Sequence, residues 1–223
     1  MIINDEPIQM AAYQEVLGGR GVELTERDYY SCLGMDDRTF VRVNLNRAGL
    51  AGEDEELARE IIDAKSVVHR RMIADELPLF PGVTAFIKEA ARHFTVGVVS
   101  MARRLEIDYV LERAGFAEFF PTVISAEDAR ACKPDPDCYL RGRNAVNAWR
   151  HARGEWLLSP DEFLVIEDSP PGIRAGRGAG MRTLGITNTV TEAELREAGA
   201  DVVSASLADW NADAVRHVFD ASR

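Results

Sequence analysis

Residues 163–180 read FLVIEDSPPGIRAGRGAG, and they give the clearest indication of the fold of the whole chain. The apolar run Phe163–Ile166 leads directly into Glu167, Asp168 and Ser169, and two prolines then open a run of small residues typical of a helix. A short apolar run bounded by turn residues predicts a strand buried on both faces of a parallel sheet. Adjacent carboxylates at the carboxyl end of such a strand repel each other unless a cation such as Mg²⁺ lies between them. A plainer interpretation is that Asp168 or Ser169 only caps the next helix.

The second half of the chain alternates short β-branched strands with helices of about ten residues. Strands are predicted at 95–99, 122–124, 163–166, 181–186 and 201–203. Helices are predicted at 83–92, 103–114, 137–148, 173–178, 192–198 and 207–218. This alternation predicts an α/β fold, a doubly wound parallel sheet of Rossmann-like type with helices on both faces.

Residues 5–77 have a different texture and are predicted to be helical throughout. The predicted helices run over 6–17, from Thr25 through Cys32, from Asp36 or Asp37 to Asn46, and from the acidic run at Glu53–Glu56 to about Leu77. The segment Pro78–Gly82 is a linker. We therefore predict a small all-helical domain over 5–77 and an α/β core over 78–223 together with residues 1–4.

Composition limits the classes of partner. The 223 residues carry a formal charge of −11 and a pI near 4.9, which argues against nucleic acid or an anionic membrane surface as partner. No apolar run is long enough to span a membrane, and the N-terminus does not resemble a signal peptide. Three cysteines, an odd number without zinc-site spacing, predict free thiols in a reducing cytoplasm. The sequence does not indicate an oligomeric state.

Polar residues follow three of the predicted strands. Ser100 follows the first, Lys133 lies in a Lys-Pro-Asp-Pro-Asp turn after the second, and Glu167 with Asp168 follows the third. Singly, the serine is explained as a helix cap and the lysine as a solvated turn residue. Together they form a set that suits a phosphoryl group, because the lysine and a Mg²⁺ ion would neutralise the charge of its oxygens.

Other features have structural explanations. The Gly176-x-Gly178-x-Gly180 pattern lies within a helix rather than in a strand–helix turn, so it does not indicate a dinucleotide site. The four histidines show no ligand spacing, and nothing beside Cys132 marks it as a nucleophile.

The order of these motifs resembles the haloacid dehalogenase superfamily, and more narrowly its β-phosphoglucomutase-like phosphatases. The matching features are Pro81-Gly82, Val-Val-Ser100, Lys133-Pro-Asp-Pro, Glu167-Asp168-Ser169-Pro-Pro-Gly172 and Ala179-Gly180. The resemblance implies a Mg²⁺-dependent phosphatase acting on a small phosphorylated metabolite beneath a helical cap.

The resemblance also implies a role for single residues. Ser100 would be the phosphate-binding hydroxyl, Lys133 the catalytic phosphate-binding lysine, and Glu167 with Asp168 the metal-binding acids. Gln9 and Arg38 lie in the cap, where the family contacts its substrate, although surface charge explains Arg38 equally well.

One part of the family pattern is absent from the printed sequence. The family's nucleophile and acid/base belong to an Asp-x-Asp-Gly motif after a first core strand, and Met1–Pro7 would align immediately after it. We therefore expect a miscalled start, no first core strand, and an inactive chain as given. Loss of a central strand would leave two central sheet edges unpaired. An in-frame strand ending in Asp-x-Asp-Gly upstream in the genomic DNA supports this expectation, and a stop codon just before Met1 contradicts it.

Three alternatives stay open at this stage. The chain could be a phosphosugar mutase of the same family, which differs from a phosphatase in the acceptor that it admits. It could be a non-catalytic module that keeps only the phosphate cradle. It could also be a fragmentary product without a stable fold.

Overall fold

The computed structural model describes residues 1–50 and 54–220. The N-terminal part forms four helices: α1 (Glu6–Gly18), α2 (Glu26–Tyr30), α3 (Asp37–Arg47) and α4 (Glu55–Met72). Thr25, Asp36 and Asp54 cap the last three of these helices with side-chain oxygens that accept backbone N–H bonds. The predicted helix start at Glu53 lies outside the described residues.

The remainder of the chain alternates helices and strands, as the sequence predicts. Its helices are α5 (Val83–His93), α6 (Arg104–Ala114), α7 (Asp137–His151), α8 (Pro170–Gly178), α9 (Glu192–Glu197) and α10 (Ala212–Asp220). Its strands are β1 (Gly97–Val99), β2 (Thr122–Ile124), β3 (Leu164–Glu167), β4 (Arg182–Ile186) and β5 (Val202–Ser204). None of the helices in the described ranges is both long and apolar enough to cross a membrane.

All strand pairs within the described sheets are parallel, but the strands form two sheets rather than one. β1 pairs with β2, and β4 lies between β3 and β5. The edges of β1 and β3 that have no strand partner among the described residues both line a cavity of about 970 Å³. Leu164 and Ile166 of β3 are consequently only half-buried, which corrects the prediction of a strand buried on both faces.

The helical cap α1–α4 has a hydrophobic core of its own. Residues that are fully or almost fully buried in this core include Ala12, Leu17, Val41, Leu45 and Ile61. The rings of Tyr13 and Phe40 pack at a centroid distance of 4.2 Å and join α1 to α3. The fold is therefore an α/β core with an all-helical cap near the N-terminus.

Two chain segments connect the cap to the core and lie side by side. The Asn4 N–H donates to the Pro78 carbonyl at 2.8 Å, and the Phe80 N–H donates to the Ile2 carbonyl at 3.1 Å. Ile3 and Leu79 form an antiparallel bridge between them. These backbone bonds bring the start of α1 next to the sheet.

Several predicted boundaries are wrong, among them the start of α8 at Pro170 and the end of α7 at His151, and three others have a local explanation. α4 ends at Met72 rather than near Leu77. Just beyond its end, the Arg113 guanidinium donates hydrogen bonds to the Ile73 and Ala74 carbonyl oxygens, which therefore need no further helical turn as partner. The last helix begins at Ala212, since Leu207–Asp209 forms a separate 3-10 turn capped by Ser206. β1 begins at Gly97 rather than Thr95, because Gly97 pairs with Thr122, the first residue of its partner strand β2.

Candidate active site

The predicted site residues of the core come together at the carboxyl ends of the strands. Ser100 follows β1, Lys133 lies between β2 and α7, and Glu167 is the last residue of β3. These residues, with Asp168 and Ser169, line one cavity of about 300 Å³. The arrangement follows from parallel strands, since their carboxyl ends meet at one edge of the sheet.

Lys133 and Glu167 form a buried ion pair at the base of this cavity. Lys133 Nζ donates to Glu167 Oε1 at 2.5 Å, and the Tyr139 hydroxyl donates to the same oxygen at 2.5 Å. Burial alone would raise the pKa of Glu167, but the adjacent Lys133 outweighs it and the pKa is lowered. Burial alone would lower the pKa of Lys133, but the negative charge of Glu167 outweighs burial and the pKa is raised. Both groups are therefore charged near neutral pH.

Glu167 is held from its other side by the start of α8. The Ser169 hydroxyl donates to Glu167 Oε2 at 3.2 Å, and the Asp168 N–H donates to it at 3.3 Å. A Cβ atom on Gly172 would lie 2.1 Å from the Glu167 carboxyl carbon, so only glycine permits this approach. Ser169 Oγ also accepts a hydrogen bond from the Gly172 N–H. Ser169 therefore caps α8 and lines the cavity at the same time.

Ser100 also has a capping contact, since its hydroxyl accepts the Ala102 N–H at 3.1 Å. Its own N–H donates to the Ile124 carbonyl at 2.9 Å, which anchors it to β2. The plain interpretation of Ser100 as a cap therefore holds, and its hydroxyl still lines the cavity.

Of the two adjacent carboxylates Glu167 and Asp168, Asp168 is the one with an oxygen that has no hydrogen-bond partner in the described structure. Its Oδ2 accepts from the Thr189 hydroxyl at 3.1 Å and lies 3.3 Å from the Met1 amino nitrogen. Its Oδ1 has no hydrogen-bond partner among the described residues. Those residues hold no cluster of three or more acidic, histidine or cysteine side chains suited to a metal ion. A carboxylate with one unpaired oxygen at the edge of this cavity nonetheless fits Mg²⁺, which is bound through one or two carboxylates with water and phosphate.

Of the two predicted cap residues, one lines the cavity. Gln9 on α1 lies at the cap end, where its amide nitrogen donates to Asp5 Oδ2 at 2.9 Å. Its Oε1 is buried without a partner in the described structure. Arg38 is exposed and ion-paired with Glu55, and it does not line the cavity.

Several residues of the site were not singled out from the sequence. Asp5 bonds His69 at 2.7 Å, and Glu6 accepts from the Tyr29 hydroxyl at 2.7 Å. Burial raises the pKa of Glu6, and the neighbouring carboxylates Asp168 and Asp5 add to this effect. These contacts join residues far apart in the chain, so no local sequence pattern marks them.

The cap contacts the loop that carries Cys132 and Lys133 directly. Gly34 has a φ of +86°, and a Cβ there would lie 3.2 Å from Lys133 Cβ and 2.8 Å from Pro171 Cβ. The Asp36 N–H donates to Cys132 Sγ at 3.4 Å. The loop between α2 and α3 therefore packs on the base of the site, and Cys132 contacts the cap rather than the cavity.

The cap and core also meet through a buried cluster of charges. Lys65 Nζ on α4 donates to Glu106 Oε1 on α6 at 3.0 Å and lies 2.9 Å from Asp37 Oδ2. The Ser66 hydroxyl donates to Glu106 at 2.6 Å, and the Tyr13 hydroxyl donates to Asp37 at 2.6 Å. Asp37 from the cap and Glu106 from the core both line the cavity, and both are ion-paired with Lys65.

Comparison with known proteins places this geometry in a family. The chain is 26% identical over 206 residues to the protein SUPPRESSOR OF QUENCHING 1, chloroplastic, of Arabidopsis thaliana, covering 91% of this chain but only 18% of that protein. It is 30% identical over 177 residues to glycerol-1-phosphate phosphohydrolase 1 of Saccharomyces cerevisiae, covering 75% of this chain and 67% of the yeast protein.

The fold is similar to that of solved structures. The crystal structure of β-phosphoglucomutase from Clostridium difficile superposes with a TM-score of 0.85 at 17% identity, covering 100% of this chain and 94% of that one. Residues 2–180 match the sequence family described as haloacid dehalogenase-like hydrolase. With its α/β core, helical cap and matching sequence, the chain belongs to the haloacid dehalogenase-like hydrolases.

Proposed function

We propose that the protein is a Mg²⁺-dependent phosphatase that hydrolyses a small phosphorylated metabolite. The observation that carries the proposal is the convergence of Ser100, Lys133, Asp168 and Ser169 on one cavity at the carboxyl ends of β1 and β3. Hydroxyls, an ammonium and a carboxylate with an unpaired oxygen are the groups that bind a phosphoryl group and its metal ion.

Each residue has a distinct part in this proposal. The Lys133 ammonium neutralises phosphate charge, while Glu167 and Tyr139 hold that ammonium in position. The Ser100 hydroxyl donates to a phosphate oxygen. Asp168 would hold the magnesium ion, which when bound polarises the phosphoryl group. Glu167 contributes less directly to the metal, because both of its oxygens are already engaged.

The yeast relative supports hydrolysis of a small ester, since its name describes a glycerol-1-phosphate phosphohydrolase. A phosphosugar mutase would need a second phosphate-binding group at the cap end. Lys133 is the only lysine of the described residues that lines the cavity, and none of their arginines does. Phosphatase is therefore preferred to mutase.

A non-catalytic phosphate-binding module is the second candidate. Every carboxylate of the described residues that lines the cavity accepts a hydrogen bond from, or is ion-paired with, another group, and only for Asp168 does the proposal leave an oxygen for a ligand. The printed sequence lacks the family's Asp-x-Asp-Gly motif, and the resulting expectation that the chain as given is inactive applies to the phosphatase as well as to this candidate and stays a prediction.

The proposal also covers the division into domains, the cellular location and the class of partner. The division into a cap over 5–77 and a core over 78–223 with 1–4 is supported by the separate apolar clusters of the two parts. A cytoplasmic location is supported by three free cysteines, Cys32, Cys132 and Cys138. The net charge of −11 supports a small metabolite, rather than nucleic acid or a membrane, as partner.

The test is an assay of p-nitrophenyl phosphate hydrolysis with Mg²⁺ and with EDTA, together with the affinity for inorganic phosphate. It compares the 223-residue chain with a version extended to the previous in-frame start. A phosphatase shows Mg²⁺-dependent turnover in at least one version, and Ser100→Ala weakens phosphate binding. Lys88→Met, an exposed change on α5, is the control. Phosphate binding without turnover in both versions favours the binding module.

A further inference from the structure

The two oxygens of the Asp168 carboxylate lie in different surroundings. Oδ2 accepts a hydrogen bond from the Thr189 hydroxyl at 3.1 Å and lies 3.3 Å from the Met1 amino nitrogen. Oδ1 has no hydrogen-bond partner within residues 1–50 and 54–220. Because Asp168 lines the cavity and its side chain is only 15% exposed, the contacts of Oδ2 decide which oxygen is available to a ligand there.

Thr189 contacts Asp168 from the turn that follows β4, the strand beside β3 in the sheet. The Thr187 N–H donates to the Ser204 carbonyl of β5 at 3.1 Å, which ties the start of this turn to the neighbouring strand. Thr189 is itself partly buried and does not line the cavity. Its hydroxyl therefore contacts the carboxylate rather than a ligand in the cavity, and the sheet sets its position.

The two partners of Oδ2 differ in charge. The Thr189 hydroxyl is neutral, so its hydrogen bond fixes the direction of the carboxylate and leaves the negative charge for a cation. The Met1 ammonium carries a positive charge of its own and would compete with a cation for the same carboxylate. A neutral donor on one carboxylate oxygen is how groups around a metal site orient a ligand that they do not replace.

We propose that Thr189 is a positioning residue, whose hydroxyl holds Oδ2 of Asp168 and thereby presents Oδ1 to a divalent cation. This inference rests on the proposed function, in which Asp168 holds the magnesium ion, and adds a residue outside the cavity to that site. The two residues follow different strands, Asp168 after β3 and Thr189 after β4, so the contact exists only in the folded sheet.

Binding of Mn²⁺ alone tests the proposal, because Mn²⁺ takes the same oxygen ligands as Mg²⁺ and is observed directly by electron paramagnetic resonance. Thr189→Val removes the hydroxyl and keeps a side chain of similar shape. We expect the Kd for Mn²⁺ to rise by about tenfold, the lower end of the effect of losing a group that orients a metal ligand. Thr189→Ser keeps the hydroxyl and should bind Mn²⁺ as the unmodified chain does.

Three comparisons control the experiment. Thr187→Val makes the same chemical change in the same turn, at a hydroxyl without a hydrogen-bond partner in the described structure, and should leave the Kd for Mn²⁺ unchanged. Asp168→Asn removes the charge that binds the cation and should weaken Mn²⁺ binding more than Thr189→Val does. Binding of inorganic phosphate without metal, measured by calorimetry, should be the same in Thr189→Val as in the unmodified chain.

The outcomes separate failure of this inference from failure of the proposed function. If Asp168→Asn weakens Mn²⁺ binding but Thr189→Val does not, the positioning role is overturned and the proposed function stands. The role is also overturned if Thr189→Ser binds Mn²⁺ as weakly as Thr189→Val, or if Thr189→Val loses phosphate binding to the same extent. If the unmodified chain does not bind Mn²⁺, or if Asp168→Asn binds it equally well, the metal assignment in the proposed function fails and the role of Thr189 fails with it.

Discussion

Lys133 and Glu167 show how a single ion pair shapes the site. Sequence reasoning treated Glu167 as one of two acids that require a metal ion between them. The structure instead places an ammonium 2.5 Å from Glu167, so the lysine supplies the positive charge for that carboxylate. Asp168 keeps one oxygen, Oδ1, without a partner among the described residues, which is why the proposed function assigns the metal ion to it.

We predict that Glu167→Gln destabilises the protein by about 3–5 kcal/mol, because Lys133 would remain buried without its counter-ion. The free energy of unfolding in urea measures the effect. Glu197→Gln, an exposed change on α9, should stay within about 0.5 kcal/mol of the parent. Equal stability of the two variants would mean that the ion pair is not formed as described.

Gly172 sets the distance between α8 and Glu167. We predict that Gly172→Ala costs about 1–3 kcal/mol, because the new methyl group overlaps the Glu167 carboxyl group at 2.1 Å. Gly18→Ala at the end of α1 meets no atom within 4 Å and should be neutral or slightly stabilising. Thermal melting of both variants is the measurement. The close approach is contradicted if Gly172→Ala melts with the parent protein.

Helices α4 and α6 are the elements that join the cap to the core through Lys65 and Glu106. Burial alone would raise the pKa of Glu106, but Lys65 and the Ser66 hydroxyl outweigh it and the pKa lies below the ordinary value of 4.5. Glu106 therefore contributes stability that is fully present above pH 4.5 and is lost as the pH falls through the lowered pKa.

We predict that Glu106→Gln reduces the loss of stability between about pH 5 and pH 3, because the group that titrates there is removed. Asp37 faces the same lysine with a raised pKa and acts in the opposite direction, so the difference between variant and parent is the useful quantity. Urea unfolding at each pH measures the free energy of unfolding of both proteins, and the difference is taken at each pH. Glu112→Gln, exposed on α6, should follow the parent curve, and the same slope in both variants would refute the role of Glu106.

Across the whole molecule, the separation of the two sheets has a measurable consequence. Ser100 donates to Ile124 across the β1–β2 pair, and Phe163 accepts from Arg182 across the β3–β4 pair. Residues alternate in direction along a parallel strand, so the N–H groups of Val99 and Ile166 point to the free edges.

We predict that the amides of Val99 and Ile166 exchange with deuterium at least about tenfold faster than those of Val98 and Val165, since unpaired N–H groups have little protection. Hydrogen exchange followed by nuclear magnetic resonance makes the comparison within each strand. Leu184 in β4, which has a strand on both sides, provides the protected reference. Equal protection of all four amides would show that the free edges are covered in solution.

The alternation of strands and helices, the helical cap and the motif residues could all be predicted from the sequence, because periodicity and turn residues are local properties of the chain. It located Ser100, Lys133, Glu167 and Asp168 because each follows a strand. Only the folded chain sets the pairing of Lys133 with Glu167, the cluster around Lys65, and the contacts of Glu6 with Tyr29 and of Gln9 with Asp5. These contacts join elements distant in the chain, and their strength depends on burial, which no local pattern specifies.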